Sequence, residues 1–68
     1  MTPRKGQVVV AAKQFVKSGE RFLVTGRVVD IVYAPDTPTR ILSYRIDTGI
    51  TGYTTAIPAN IVEVRDGL

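Results

Sequence analysis

ILSYRIDTGITGYTTAIPANIVEV, residues 41–64, is the stretch whose pattern decides the fold. Leu42, Tyr44 and Ile46 alternate with Ser43, Arg45 and Asp47, the repeat of a strand with one buried face. Asp47-Thr48-Gly49 follows, where the aspartate can bond back onto the turn and the glycine takes a positive φ. A second strand resumes at Gly52-Tyr53 and sets Tyr53, Thr55 and Ile57 on one face. Pro58 has no donor for a ladder, so pairing ends there or runs along an edge. Pro58-Ala59-Asn60-Ile61 has the form of a 3₁₀ turn, and Val62-Glu63-Val64 returns as a short last strand.

Upstream, Gln7-Val8-Val9-Val10-Ala11-Ala12 is a first strand, β-branched and apolar on both faces. Lys17-Ser18-Gly19-Glu20 is a turn signature, and Phe15 and Val16 are expected to fold back as a lid over one end. FLVTGRVVDIVY, residues 22–33, is the longest extended stretch. Strict alternation fails inside it. Val28 and Ile31 cannot share a face of a flat strand, whereas Asp30 is expected to face water and Val29 and Ile31 the interior. Gly26 permits a bulge or bend, placed near residues 25–27. Ala34-Pro35-Asp36-Thr37-Pro38-Thr39 is a loop.

No segment keeps the helical period of about 3.6 residues over ten or more positions. The expected architecture is therefore all-β: a small five-stranded antiparallel barrel with a 3₁₀ turn before the last strand. Residues 1–6 are expected as a flexible arm, 7–64 as the barrel and 65–68 as a tail. The expected core is Val8, Val10, Val28, Ile31, Leu42, Tyr44, Ile46, Ile57 and Val62.

A chain of 68 residues makes one domain, near the lower limit of independent stability. It has no cysteine and no histidine, which removes disulfides, the usual zinc ligands and the usual acid–base group near neutrality. Stability has to come from apolar packing, helped by self-association. The 44% hydrophobic and 22% charged content is that of a globular protein. No apolar run reaches bilayer-spanning length, and the N-terminus lacks a secretory pattern, so the expected setting is the cytoplasm, without a membrane partner.

The opening Lys5-Gly6-Gln7-Val8-Val9-Val10, the Gly26-x-Val28-x-x-Ile31 strand and the Tyr44-Arg45-Ile46-Asp47-Thr48-Gly49 hairpin resemble the SH3-like barrel. Ile57-Pro58-Ala59-Asn60-Ile61-Val62 is similar to the proline-asparagine turn near the end of SH3 domains. That resemblance implies a barrel which hosts many unrelated activities. Pro58 and Asn60 match two positions of the groove with which signalling SH3 domains bind proline-rich peptides. Ile61, however, stands where that family has a tyrosine, Ala11-Ala12-Lys13-Gln14-Phe15 replaces its aromatic pair, and there is no tryptophan. Gly19-Glu20-Arg21 and Ile57-Pro58 also look like parts of the type II dihydrofolate reductase barrels. Thr55, Ala56 and Ile57 occupy the positions of that family's Gln-Ile-Tyr pore run, so the reductase activity is a distant third reading.

Composition leaves little room for catalysis. A nucleophile would be Ser18, Ser43 or a threonine, none with a motif partner. Thr48, Thr51, Thr54 and Thr55 read as strand and turn chemistry. Asp30, Asp36 and Asp47 lie on separate elements without metal-binding spacing. No cofactor and no metal is expected.

Two binding readings remain. In the first, the chain is a non-enzymatic binding module acting by protein contact or self-association, of the kind found as accessory proteins of phages, plasmids and gene cassettes. Its self-association face is expected at Val9, Ala11 and Ile50, because only one face of the first strand can enter a small barrel. In the second, Arg27, Arg40 and Arg45 form a basic stripe beside Tyr33 and Tyr53 and bind nucleic acid through phosphate contacts and stacking. The net charge of +3 is low for a dedicated nucleic-acid binder, which places protein contact first.

Overall fold

The computed structural model describes residues 2–65. Five strands form one antiparallel sheet: β1 (Val8–Gln14), β2 (Arg21–Tyr33), β3 (Ile41–Asp47), β4 (Tyr53–Ala56) and β5 (Ile61–Arg65). Their order is β4-β3-β2-β1-β5. Two 3₁₀ turns interrupt them, η1 (Gly49–Thr51) between β3 and β4, and η2 (Pro58–Asn60) before β5. The expected all-β fold with five strands and a 3₁₀ turn before the last one is what the chain adopts.

The connection through η2 dictates the shape of the sheet. β4 and β5 are its two edges, and strands spaced about 4.8 Å apart would set them about 19 Å apart in a flat sheet. A three-residue 3₁₀ turn rises only about 6 Å. The sheet therefore curls until its edges approach. β4 and β5 are not hydrogen-bonded to one another; instead Lys13 Nζ donates to the Thr55 carbonyl at 2.8 Å and ties β1 to β4.

Gly26 is where the curl becomes possible. A Cβ there would stand 2.5 Å from Ile46 Cγ2 and closer still to the Asp47 carbonyl oxygen. The bulge itself lies just downstream of the expected site. Val28 pairs with Ile46 and Asp30 with Arg45, leaving Val29 as the extra residue. A second shift between Val32 and Tyr33 leaves Leu42 extra on β3. Because of the first bulge, Val28 and Ile31 both point inward and Val29 is exposed, reversing the expectation for Val29.

Val9, Ala11, Val28, Tyr44, Ile46 and Ala56 form the core, with Val24, Ile31, Ile41, Ile61 and Val64 packed against it. Of the expected core, Val28, Tyr44, Ile46 and Val10 are buried and Val8 and Ile31 half-buried. Leu42, Ile57 and Val62 are exposed. Leu42 and Val62 each lack a paired partner, at a bulge in β3 and in β5 respectively, and Ile57 follows the end of β4.

Further expectations are corrected. Val9 and Ala11 are fully buried, because β1 is a central strand whose register places Val9 opposite Gly26 and Val64. Val16 is fully exposed at the tip of the β1–β2 hairpin, while Phe15 stacks on Phe22 with ring centroids 4.5 Å apart; no lid forms. Residues 2–6, expected as part of a flexible arm, make contacts with the sheet. Pro3 is buried, Gly6 N donates to Val28 O at 2.8 Å and Val28 N to Gln7 O at 2.9 Å. Arg65 belongs to β5 rather than to a tail, whose residues 66–68 lie outside the described residues.

The η1 turn closes as its residues require. Asp47 Oδ1 accepts from Gly49 N at 2.9 Å, and Gly49 takes φ 86°. Thr48 N donates to Gly52 O at 2.8 Å. Ile50 stands at the tip, fully exposed. Among the described residues, no helix is long and apolar enough to cross a membrane.

Candidate functional site

Residues directly opposite one another in a ladder share a side of the sheet. Two rows therefore cross the outer surface of β2, β3 and β4: Arg27, Asp47 and Tyr53 in one, Asp30, Arg45 and Thr55 in the next. Each row sets a cation against a carboxylate. The Arg45 guanidinium lies 4.6 Å from the Tyr53 ring centroid, a diagonal cation–π contact on an exposed surface. Lys5 Nζ approaches Asp30 Oδ1 at 3.7 Å, and Arg27 donates to the Gly6 carbonyl. The face is thus charged but balanced.

The five residues expected to bind nucleic acid divide into two groups. Arg27, Arg45 and Tyr53 come together on the outer face. Arg40 and Tyr33 sit at the opposite end of the ladder, where Tyr33 pairs with Ile41 and Arg40 closes the loop through Ala34 N. Five residues of extended chain separate Arg40 from Arg45, about 16 Å. They do not make one stripe. Of the three residues expected at a self-association face, only Ile50 is exposed.

What does mark the outer face is apolar. Val29, Val32, Tyr53 and Ile57 are 38%, 43%, 60% and 51% exposed around the Arg45 row. Val29 was hidden from the sequence pattern by the bulge, which changes the phase of β2 on either side of it.

A second feature lies where the β1–β2 hairpin approaches η2. A cleft of about 290 Å³ opens between the base of the β1–β2 hairpin and η2. Gln14 and Arg21 are cross-strand partners there, and Lys13 and Asn60 complete its polar lining. Ala12, Ala59 and Val62 provide apolar wall. No carboxylate lines it.

Tyr44 and the Glu63–Arg65 pair have displaced proton equilibria. Burial, and then the nearby Tyr33, push the Tyr44 hydroxyl above its ordinary range. Glu63 accepts from Arg65 Nε and Nη2, each at 3.1 Å, and these bonds hold its carboxyl below the usual value. Neither pair touches the cleft. Comparison with protein-family models, with curated proteins and with solved structures gave no match.

Proposed function

We propose that the chain is a small non-enzymatic binding module of SH3-like form that works by protein contact, with a second copy of itself as partner. The observation that carries this reading is the balance of large apolar side chains. Among the described residues, eleven large hydrophobic side chains are exposed, against five that are buried: Val9, Val10, Val28, Tyr44 and Ile46. A monomer of this size gains little from such a distribution. The outer face of β2–β3–β4 supplies the surface, with Val29, Val32, Tyr53 and Ile57 beside charges of both signs.

The charge pattern supports a second copy. In a two-fold interface the same patch meets itself, so a face carrying Arg27 and Arg45 beside Asp30 and Asp47 can set each cation against a carboxylate of the other copy. A standard interface takes roughly 800 Å² from each partner, about a sixth of the 5001 Å² surface of the chain. Sedimentation equilibrium between about 1 and 100 μM tests the reading. The expected result is a dimer or larger species for the native chain and a monomer for Val32→Lys, with unchanged circular dichroism. A monomer throughout for the native chain overturns it.

The Arg45–Tyr53 stack favours a second reading, a single-stranded nucleic acid laid on the same face. Asp30 and Asp47 oppose it by interrupting the positive potential. Titration with a single-stranded oligonucleotide at low salt separates the readings: binding that weakens steeply with salt and is lost in Arg45→Ala supports nucleic acid.

A further inference from the structure

We propose that the cleft between the β1–β2 hairpin and η2 is a receptor for a carboxylate, carried by an acidic segment of a partner protein. None of the residues that line the cleft belongs to the self-association face, and the proposal does not rest on that contact.

The chemistry of the lining sets the class of ligand. Arg21 and Lys13 are among the lining residues of a recess with no acidic group in its wall, and the register sets Arg21 with Gln14 on one side of the hairpin and Lys13 with Phe22 on the other. The ion pairs among the described residues are Lys5 with Asp30 and Arg65 with Glu63, so Arg21 has none there. Its planar fork matches a carboxylate bidentately. The Lys13 ammonium is engaged by its bond to Thr55 O, so Arg21 is the cation left to a ligand. Gln14 spends a side-chain N–H on Gly19 O at 2.9 Å, which fixes the hairpin base and so the position of Arg21 across from it. The Asn60 amide, presented by η2, adds a donor on the opposite wall.

Size and apolar content argue for a peptide side chain or chain end. At about 290 Å³ the recess stands at the small end of ligand sites, enough for a carboxylate with a few methylenes. Ala12, Ala59 and Val62 offer a surface for those methylenes. A free small dicarboxylate shares this chemistry and is distinguished by affinity.

The test is a ¹⁵N–¹H NMR titration of the full chain carrying Val32→Lys, which removes the self-association face from the measurement. Three probes are added separately: an acetylated peptide Ala-Val-Glu-Ala with amidated C-terminus, the same peptide with Gln for Glu, and succinate. The Glu peptide is expected to shift the Gln14 and Asn60 side-chain amides and the Ala12 and Ala59 backbone amides, and the Gln peptide to leave them in place. Arg21→Gln is expected to weaken binding by about tenfold or more, and Arg21→Lys by less, because the lysine keeps the charge without the fork. Tighter binding of the peptide than of succinate identifies a protein segment; the reverse order identifies a free small acid and overturns the partner named here. Absence of shifts at these four positions with every probe to 10 mM (roughly the limit of a specific contact), or shifts unchanged in Arg21→Gln, overturns the site itself.

Discussion

Residues 21–26 of β2 pair with β1 through an unbroken ladder, whereas residues 27–33 pair with β3 through a ladder interrupted twice. In the upper part, exposed Arg21, Leu23 and Thr25 alternate regularly with half-buried Phe22, Val24 and Gly26. In the lower part, the extra residues Val29 and Leu42 each move the pattern out of phase. Val28 and Ile31, three residues apart, then share the interior, while Val29 and Val32 are left outside. The lower part also pairs with Tyr44 and Ile46, the two largest fully buried side chains among the described residues. A bulge here does two things at once: it bends the sheet around its core, and it turns apolar side chains to the outer face where a partner can cover them.

Perturbing the two parts should have unequal effects. The largest is expected at their junction. Gly26→Val places two branches where even a Cβ collides with Ile46 and the Asp47 backbone, and should cost about 4 kcal/mol or more, seen as loss of the cooperative urea transition. Ile46→Ala in the lower part should cost about 3 kcal/mol, and Val24→Ala in the upper part about 1 kcal/mol, because Val24 only flanks the core. Equal losses at the two positions would contradict the division. Ionisation of Tyr44 gives a smaller effect. Its raised pKa means the folded state holds the proton longer than the unfolded chain, so stability is intact below pH about 10 and falls as pH rises from there through the folded-state value. Denaturation midpoints across pH 9–11 (roughly the tyrosine range) should show that decline, and Tyr44→Phe should remove it. Leu23→Thr, on the solvent side of the regular part, should stay within about 0.5 kcal/mol of the native chain.

Much of the fold is readable in the residues themselves. The hairpin of β3 and β4, the end of pairing before Pro58, the 3₁₀ turn and the return of β5 all follow from alternation, proline and the Asp47–Gly49 turn. The faces of β1 do not. A strand written Val8-Val9-Val10-Ala11 is apolar in both phases, so nothing local says which phase enters the core; its register against Gly26 decides. Arg27, Arg45 and Tyr53 were legible as neighbours because one hairpin and the adjoining strand carry them. Arg40 and Tyr33 share the composition of that group but not its position. The cleft had no local signature, since Arg21 and Asn60 are distant in sequence and meet only through the curl of the sheet. Val29 and Val32 were likewise unreadable as outward residues until the bulge fixed the phase on either side.

The most direct measurement of the central claim is an isotope-filtered NOE experiment on an equal mixture of labelled and unlabelled native chain, at a concentration where sedimentation shows association. The account predicts intermolecular contacts from the methyls of Val29, Val32 and Ile57 and from the Tyr53 ring, on the outer face of β2–β3–β4. Intermolecular contacts confined to Val16, Leu23 or Ile50, with none from those four residues, would contradict it.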